Sequence, residues 1–136
     1  MIEVNLLGAI TATELFLDQL KAGGEGDIVN ISSAAGRVAR PSNGVYAATK
    51  FGLNGWSESL RQELLPAVRV TVVEPGAVAT ELTDHITHDE TKHGVEQFYA
   101  TAAITADDIA EIIAFAVSRP RRVALNEILV RPAAQA

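Results

Sequence analysis

The chain has 136 residues, of which 48% are hydrophobic and 21% are charged, so it has the length and apolar content of one globular domain and not the composition of a disordered segment. The absence of cysteine excludes a disulfide scaffold, a thiolate zinc site and a cysteine nucleophile. The net charge of -6 has the wrong sign for binding nucleic acid. Glu3 stands where a signal peptide carries positive charge, and no apolar run approaches the ~20 residues of a membrane span. We therefore expect a cytoplasmic protein.

The first part of the chain predicts a helix, a strand and a second helix. From residue 3 to about 21, residues that can pack inward recur at three- and four-residue intervals, namely Leu6, Ile10, Thr13, Leu17 and Leu20. After a glycine-rich break, the β-branched run 27–32 predicts a buried strand. Residues 45–65 then predict a long helix, because no proline interrupts the pattern before Pro66.

The second part predicts a strand, a long segment, a third helix and a last strand. Residues 68–74 form the clearest strand pattern of the chain, and Pro75-Gly76 ends it. The segment 79–104 lacks a sustained period and is typical of a lid or substrate loop. A capping pattern begins at Thr105, and residues 126–130 predict the last strand. Between them, one apolar stripe predicts the inward face of the third helix: Ile109, Ile112, Ile113, Ala116 and Val117.

This order of elements predicts an α/β fold with a doubly wound parallel sheet. Helices alternate with strands, and the connections are long enough to join parallel neighbours. Three strands are few for an open sheet, and no strand precedes the first helix. We therefore expect residues 1–136 to form a single partial domain that corresponds to the second half of such a fold.

Tyr46 and Lys50 are the first candidates for chemistry. They stand four positions apart at the start of the second predicted helix, so both side chains leave the same face, one turn apart. A nearby ammonium favours the deprotonated form of a phenol, and such a tyrosine can exchange a proton with a hydroxyl or carbonyl oxygen. The same spacing is also common in solvated pairs on helix surfaces, so the pair alone leaves both interpretations open.

Ser33 and Asn5 are the other polar candidates. Ser33 directly follows the predicted strand 27–32, at its carboxyl end, where open parallel sheets place their ligands. Ser32 offers a competing hydroxyl, and both serines could serve only the turn that follows. Asn5 is a polar residue in a leucine-rich stretch, which is also an ordinary position for a residue at a helix start.

Four motifs in this order together resemble the short-chain dehydrogenase/reductase family. They are Val-Asn5-Leu-Leu-Gly, Asn-Ile-Ser-Ser33-Ala-Ala-Gly, Tyr46-Ala-Ala-Thr-Lys50 and Pro75-Gly76-Ala-Val-Ala-Thr80. The motifs support the resemblance from residue 2 to about 82, and residues 126–132 are similar to the tail of the NADP-dependent 3-hydroxy acid dehydrogenase subgroup. The resemblance implies a Rossmann-like oxidoreductase that uses NAD or NADP to interconvert an alcohol and a carbonyl by hydride transfer.

The resemblance also implies a role for each matching residue. Tyr46 would be the general acid/base, and Lys50 would hold the nicotinamide ribose and favour the phenolate. Ser33 would bind the substrate oxygen, and Asn5 would support a water-linked proton path to Lys50. The cofactor would also lie against residues that follow the second strand: Pro75, Gly76, Val78 and Thr80.

The chain departs from the family pattern in the part that would bind the adenosine half of the cofactor. Family members begin with a strand and a glycine-rich turn, and neither precedes Asn5 here. We therefore expect a truncated fold without the amino-terminal nucleotide-binding βαβ half and with an open strand edge. This truncation leaves the choice between NAD and NADP unspecified and makes the activity of the chain alone a separate question. The alternative function is that of a catalytically inactive fragment that acts only as an association module.

The remaining expectations concern metals and partners. Three histidines, His85, His88 and His93, lie in the segment 79–104, but their spacing matches no helical His-Glu-x-x-His arrangement, so we expect no metal site. We expect Phe98 and Tyr99 in the same segment to pack a lid or to line a substrate pocket. The expected partners are a small alcohol or carbonyl substrate and a second copy of the chain, which would pack through the helices that start near Asn5 and Tyr46. Nucleic acid and membrane are not expected.

Overall fold

The computed structural model describes residues 1–80 and 103–135, which form three strands with helices between them. In chain order these are a π-helical turn (Glu3–Leu7) that runs into helix α1 (Gly8–Ala22), strand β1 (Gly26–Ile31), a 3-10 turn (Ala34–Gly36), helix α2 (Gly44–Leu64), strand β2 (Val68–Pro75), helix α3 (Ala106–Val117) and strand β3 (Glu127–Val130). The predicted helices and strands are confirmed, with ends that differ by about one residue. Most of the predicted segment 79–104 lies outside the described residues.

The three strands form one parallel sheet in the order β1-β2-β3, which confirms the predicted fold class. Every residue of β2 is buried, as expected for a central strand that is covered on both faces. In the pairing register, Gly26 lies opposite Val68 and Ile31 lies opposite Val73, so β1 and β2 end at the same edge of the sheet. Within the described part of the chain, β1 pairs on one side only, so the open edge expected from the sequence is present.

Helices α1 and α2 share one face of the sheet, where the apolar core lies. The core joins Ile28 and Val70 of the strands to Leu60 of α2, and Leu17 and Leu20 of α1 pack against it. The predicted inward face of α1 is thereby confirmed. Gly26 permits the close approach of α1 and β1, because a Cβ atom there would lie 2.6 Å from the carbonyl oxygen of Leu20.

Helix α3 packs against β2 with most of its predicted stripe turned inward. Ile109 and Ala116 are buried, and Ile112 and Ile113 are half-buried. The prediction for Val117 is wrong, since its side chain is 38% exposed. The helix ends at this residue, and it is the backbone carbonyl of Val117, not the side chain, that contacts the sheet, by accepting a hydrogen bond from Arg69.

Arg69 on β2 binds the carboxyl-terminal end of α3 through what we call the Arg69 cluster: Arg69, Asp27 and Arg121. The guanidinium of Arg69 donates to the carbonyl oxygens of Val117, Arg119 and Val123, each at 2.9 Å. It also pairs with the carboxylate of Asp27, with 2.7 Å between Nε and Oδ1, and Arg121 donates to the same carboxylate at 3.1 Å. The bond to Asp27 raises the pKa of Arg69 above its usual value, so the Arg69 guanidinium stays charged.

Within the described residues, no helix combines the length and the apolar character that crossing a membrane requires.

The start of α3 carries a capping box whose removal should destabilise the fold. The hydroxyl of Thr105 accepts a hydrogen bond from the backbone N–H of Asp108 at 3.2 Å, and the Asp108 carboxylate accepts one from the N–H of Thr105 at 2.7 Å. We expect Thr105→Ala to lower the free energy of unfolding by about 1 kcal/mol. Urea denaturation followed by circular dichroism measures this loss.

Thr11→Ala is the matched control, since Thr11 is exposed within α1 and caps nothing. It should not destabilise the chain. Hydrogen bonds from Thr105 lower the pKa of Asp108 below its usual 3.8, so the contribution of this carboxylate is present above that pH and is lost as the pH falls through the lowered pKa. The Thr105 hydroxyl also donates to that carboxylate at 2.8 Å, so the difference between the wild type and Thr105→Ala should shrink in part below pH 3.8, while the part due to the Asp108 N–H, which does not titrate, should remain. Equal stability of the two proteins at neutral pH would contradict the capping role.

Candidate active site

The carboxyl ends of β1 and β2 bring Ser33 next to Pro75. The Ser33 hydroxyl donates to the carbonyl oxygen of Pro75 at 3.5 Å and accepts from the N–H of Ala35 at 3.1 Å, which caps the 3-10 turn. Ser32, the competing hydroxyl, is 4% exposed and donates to the carbonyl oxygen of Lys50 at 3.4 Å. Alternation along the chain therefore turns Ser32 toward α2 and leaves Ser33 half-buried at the sheet edge.

Tyr46 and Lys50 lie together on the first turns of α2, as their spacing predicts. The ammonium of Lys50 lies 5.6 Å from the centre of the Tyr46 ring, within the range of a cation–π contact. The same ammonium donates to the carbonyl oxygen of Ile31, the last residue of β1, at 2.9 Å. Burial lowers the pKa of Lys50 below its usual 10.5, because the desolvated ammonium is disfavoured. The pair is thus held against the carboxyl edge of the sheet.

Asn5 also reaches this part of α2. It lies inside the π-helical turn, and its amide donates to the hydroxyl of Thr49 at 3.3 Å. Thr49 in turn donates to the carbonyl oxygen of Tyr46 at 2.7 Å. Asn5 is therefore not merely a helix-start residue, since it contacts α2 between Tyr46 and Lys50. Thr49 was not among the predicted site residues, although its position directly before Lys50 in the motif could have indicated it.

The residues after β2 continue from the same edge. Gly76 donates its N–H to the carbonyl oxygen of Val130 on β3 at 2.7 Å, and Ala77 donates to the Gln135 side chain at 2.9 Å. A Cβ atom at Gly76 would collide with the end of the Gln135 side chain, which would have to move to admit it. Val78 pairs with Ile104, and Thr80 is exposed. The candidate cofactor residues therefore follow directly on the strand end that contacts Ser33.

A buried carboxylate lies beneath the turn that Ser33 begins. Glu74 is fully buried, and its carboxylate accepts hydrogen bonds from Nε of Arg37 and from Nδ2 of Asn54, both at 2.7 Å. Arg37 also donates to Glu127 at 2.6 Å. The bonds to Glu74 and then to Glu127 raise the pKa of Arg37 above its usual range. We call Glu74, Arg37, Asn54 and Glu127 the Glu74 cluster. None of them has a role among the predictions from the sequence.

Gly36 in the same turn offers a test of how closely the turn must pack on α2. A Cβ atom at this position would lie 2.8 Å from Nδ2 of Asn54 and 3.1 Å from the carbonyl oxygen of Lys50. The helix backbone cannot give way, so Gly36→Ala should displace the turn and cost about 1–3 kcal/mol of unfolding free energy. Chemical denaturation measures the loss.

Gly55→Ala is the control for this prediction, because a Cβ atom at Gly55 would meet nothing within 4 Å. Gly55 lies inside α2, so this substitution should stabilise the chain by up to about 1 kcal/mol. Equal stability changes in the two variants would show that the turn tolerates a side chain.

Several predicted features lie outside the described residues. These are the three histidines, together with Phe98 and Tyr99. Within residues 1–80 and 103–135, no group of three or more histidine, aspartate or glutamate side chains is placed to hold a metal ion.

Comparison with known proteins identifies relatives along the whole chain. The family model described as short chain dehydrogenase matches residues 1–91. An uncharacterized oxidoreductase of Staphylococcus saprophyticus is 37% identical over 99% of this chain and 56% of its own length. An NADP-dependent 3-hydroxy acid dehydrogenase of Schizosaccharomyces pombe is 33% identical over 99% of this chain and 52% of its own length.

Solved structures also match this fold. The closed form of a serine dehydrogenase complexed with NADP+ superposes on all of this chain with a TM-score of 0.91 and 31% sequence identity. The superposition covers 56% of that protein. The chain therefore spans about half the length of the curated and solved relatives that it matches.

Proposed function

Because the chain belongs to the short-chain dehydrogenase family, we propose that it carries the catalytic residues of an NAD(P)-dependent oxidoreductase that interconverts an alcohol and a carbonyl. One observation carries the proposal: the Tyr46–Lys50 pair lies on α2 with its ammonium bound to the carboxyl end of β1, where Ser33 follows. Open parallel sheets bind their ligands at this edge.

The proposed chemistry gives each of these residues one task. A nicotinamide held beside Lys50 and Gly76 would supply the hydride exchange at the carbon of the substrate. Tyr46 exchanges a proton with the substrate oxygen, as its general acid in one direction and its general base in the other. Ser33 donates a hydrogen bond to the same oxygen and stabilises charge that develops there. Asn5 would belong to a proton path that runs through water to Lys50.

The residues beside this edge have the chemistry to hold the nicotinamide end of the cofactor. The Lys50 ammonium donates one of its three N–H groups to the Ile31 carbonyl oxygen. The other two N–H groups can bind ribose hydroxyls. Gly76 has no side chain to block a flat ring at the end of β2. Pro75, Val78 and Thr80 would complete the contacts. NAD and NADP remain equal candidates, although the solved relative contains NADP+.

We also propose a domain organisation for the chain. Residues 1–136 would act as one partial, truncated domain, in which 79–104 is the substrate loop. The pairing of Val78 with Ile104 supports this organisation, because it brings the two ends of the segment together beside β2.

Turnover by the purified chain tests the function directly. NADPH or NADH is mixed with the chain and a panel of ketones, or NADP+ or NAD+ with alcohols and β-hydroxy acids, and absorbance of the reduced nicotinamide is followed. Turnover by the chain is the expected result. A folded chain that neither turns over nor binds the nicotinamide would reject autonomous catalysis. Activity that appears only after fusion to the nucleotide-binding half of a relative would keep the catalytic residues and reject independence.

A second candidate function is association with another copy of the chain. Large apolar side chains are exposed on both helices that would form such a contact: Leu15 and Phe16 on α1, at 76% and 58%, and Val45 and Phe51 on α2, at 60% and 45%. A contiguous exposed apolar surface favours a protein–protein contact, and these four side chains are apolar groups that the two helices would offer to it. Sedimentation velocity at increasing concentration tests the idea, and a chain that stays monomeric would reject it.

A further inference from the structure

Among the described residues, Glu74 is a fully buried carboxylate at the site edge of the sheet that the proposed chemistry leaves without a task. We propose that Glu74 is a positioning residue: its carboxylate binds Arg37 and Asn54 together and thereby sets where Ser33 lies relative to Tyr46 and Lys50. This inference rests on the proposed function, because it concerns the geometry of the same site.

The burial of Glu74 requires partners, and the structure supplies two. A carboxylate that is removed from water is costly unless it accepts charged or polar hydrogen bonds. Arg37 and Asn54 each donate one such bond at 2.7 Å. Losing either donor would leave a carboxylate oxygen buried and unsatisfied. The carboxylate therefore holds both donors in fixed positions.

Each bond of the carboxylate ends beside a segment that carries a site residue. Arg37 directly follows the 3-10 turn whose cap is Ser33. Asn54 lies one helical turn after Lys50 on α2, and it also donates to the carbonyl oxygen of Gly36 at 3.3 Å. Glu74 itself directly precedes Pro75 on β2. One carboxylate thus links the serine turn, the helix of the Tyr46–Lys50 pair and the end of the central strand.

The charges around the carboxylate agree with this role. The charged and titratable side chains bonded within the cluster are those of Glu74, Arg37 and Glu127, and Arg37 lies between the two acids at 2.6 Å from Glu127. Asn54 has a fixed orientation, because its amide nitrogen must face the carboxylate. The buried Oδ1 of Asn54 has no hydrogen-bond partner among the described residues, whereas its Nδ2 donates both to Glu74 and to the carbonyl oxygen of Gly36.

Glu74→Gln tests the inference with little change in shape. A carboxylate accepts on both sides, whereas the glutamine amide accepts on one side and donates on the other, so with the glutamine oxygen on Arg37, Asn54 must either face a donor or turn its amide over and give up its bond to the Gly36 carbonyl. We expect the turn to loosen on α2. Hydrogen exchange measured by NMR on the full chain should become about tenfold faster at the amides of Gly36 and Arg37, which bond within the turn, but not at Val72 in the sheet.

Turnover supplies the second readout, and Glu58→Gln is the matched control. Glu58 is an exposed glutamate on α2 that pairs with Arg61, so this variant makes the same chemical change away from the site. Glu74→Gln should lower kcat by about 10- to 100-fold with little change in the KM of the nicotinamide, because a small displacement of Ser33 weakens the transition state more than cofactor binding. Glu58→Gln should leave both constants and the exchange rates unchanged.

The outcomes separate this inference from the proposed function. Exchange that quickens only in the turn supports positioning even if the chain has no activity, and the function alone then fails. Exchange that rises equally in the turn and the sheet, or not at all, overturns the inference, as does a wild-type kcat in an active chain. If Glu74→Gln does not fold, Arg37→Lys replaces it. A lysine keeps the charge but loses the paired donors, so the same selective exchange is expected, and its absence overturns the inference.

Discussion

Tyr46→Phe should lower kcat/KM by about 10²- to 10⁴-fold, the range that general acid–base catalysis contributes. The substitution removes only the hydroxyl, so the ring stays beside the Lys50 ammonium, which lies 5.6 Å from its centre. Packing and the bond from Lys50 to Ile31 should therefore persist. Steady-state kinetics with the substrate found for the wild type measures the loss, and nicotinamide fluorescence checks that the cofactor still binds.

Ser59→Ala is the control for the loss of a hydroxyl from α2. Ser59 is exposed, and its hydroxyl donates to Glu63 on its own helix at 3.0 Å, so this variant should keep wild-type kinetics. Wild-type turnover by Tyr46→Phe would remove Tyr46 from the mechanism, whatever family the chain belongs to.

Arg69→Met should lower the free energy of unfolding by about 3–5 kcal/mol, the usual consequence of removing one partner of a buried ion pair. Methionine keeps an apolar stem of similar length but leaves three carbonyl oxygens near the end of α3 without their donor. It also leaves Asp27 with Arg121 as its remaining ion-pair partner among the described residues. Since a domain of this size is stabilised by about 5–15 kcal/mol in total, the loss should be evident as a much earlier urea midpoint.

The control for this substitution is Arg122→Met. Arg122 is exposed, and it lies in the same loop after α3. Its replacement should change stability by less than about 0.5 kcal/mol, the usual range for surface sites. Equal losses at the two positions would show that total charge, and not the Arg69 cluster, holds the end of α3.

Local patterns explain why the helices and strands could be predicted from the sequence. The β-branched run before Pro75 and the glycine-rich break before β1 are each contained within a few neighbouring residues. The Tyr46–Lys50 contact follows from helical geometry alone. These features needed no knowledge of the tertiary structure.

The features that the sequence did not reveal depend on contacts between distant residues. Glu74 sits in an apolar strand, and its partners Arg37 and Asn54 lie 37 and 20 positions away along the chain, so no local spacing connects them. Asn5 meets Thr49 across 44 positions, which made it indistinguishable from a helix-start residue. The exposed side chain of Val117 has a similar cause, because a remote arginine binds its carbonyl and decides how α3 ends.

Strand β2 is anchored by a different charged cluster at each end. The cluster at one end contributes to stability, and the cluster at the other end lies beside the candidate active site. Arg69 and Glu74 are five positions apart in an extended strand, or about 17 Å, and lie on opposite faces. Substitutions this far apart usually add, so the effects of Arg69→Met and Glu74→Gln should sum to within about 0.5 kcal/mol in the double variant. Laboratory evolution could then raise stability through substitutions at the Arg69 end of β2 while it changes substrate preference through substitutions at the Glu74 end. The two properties would evolve independently of each other.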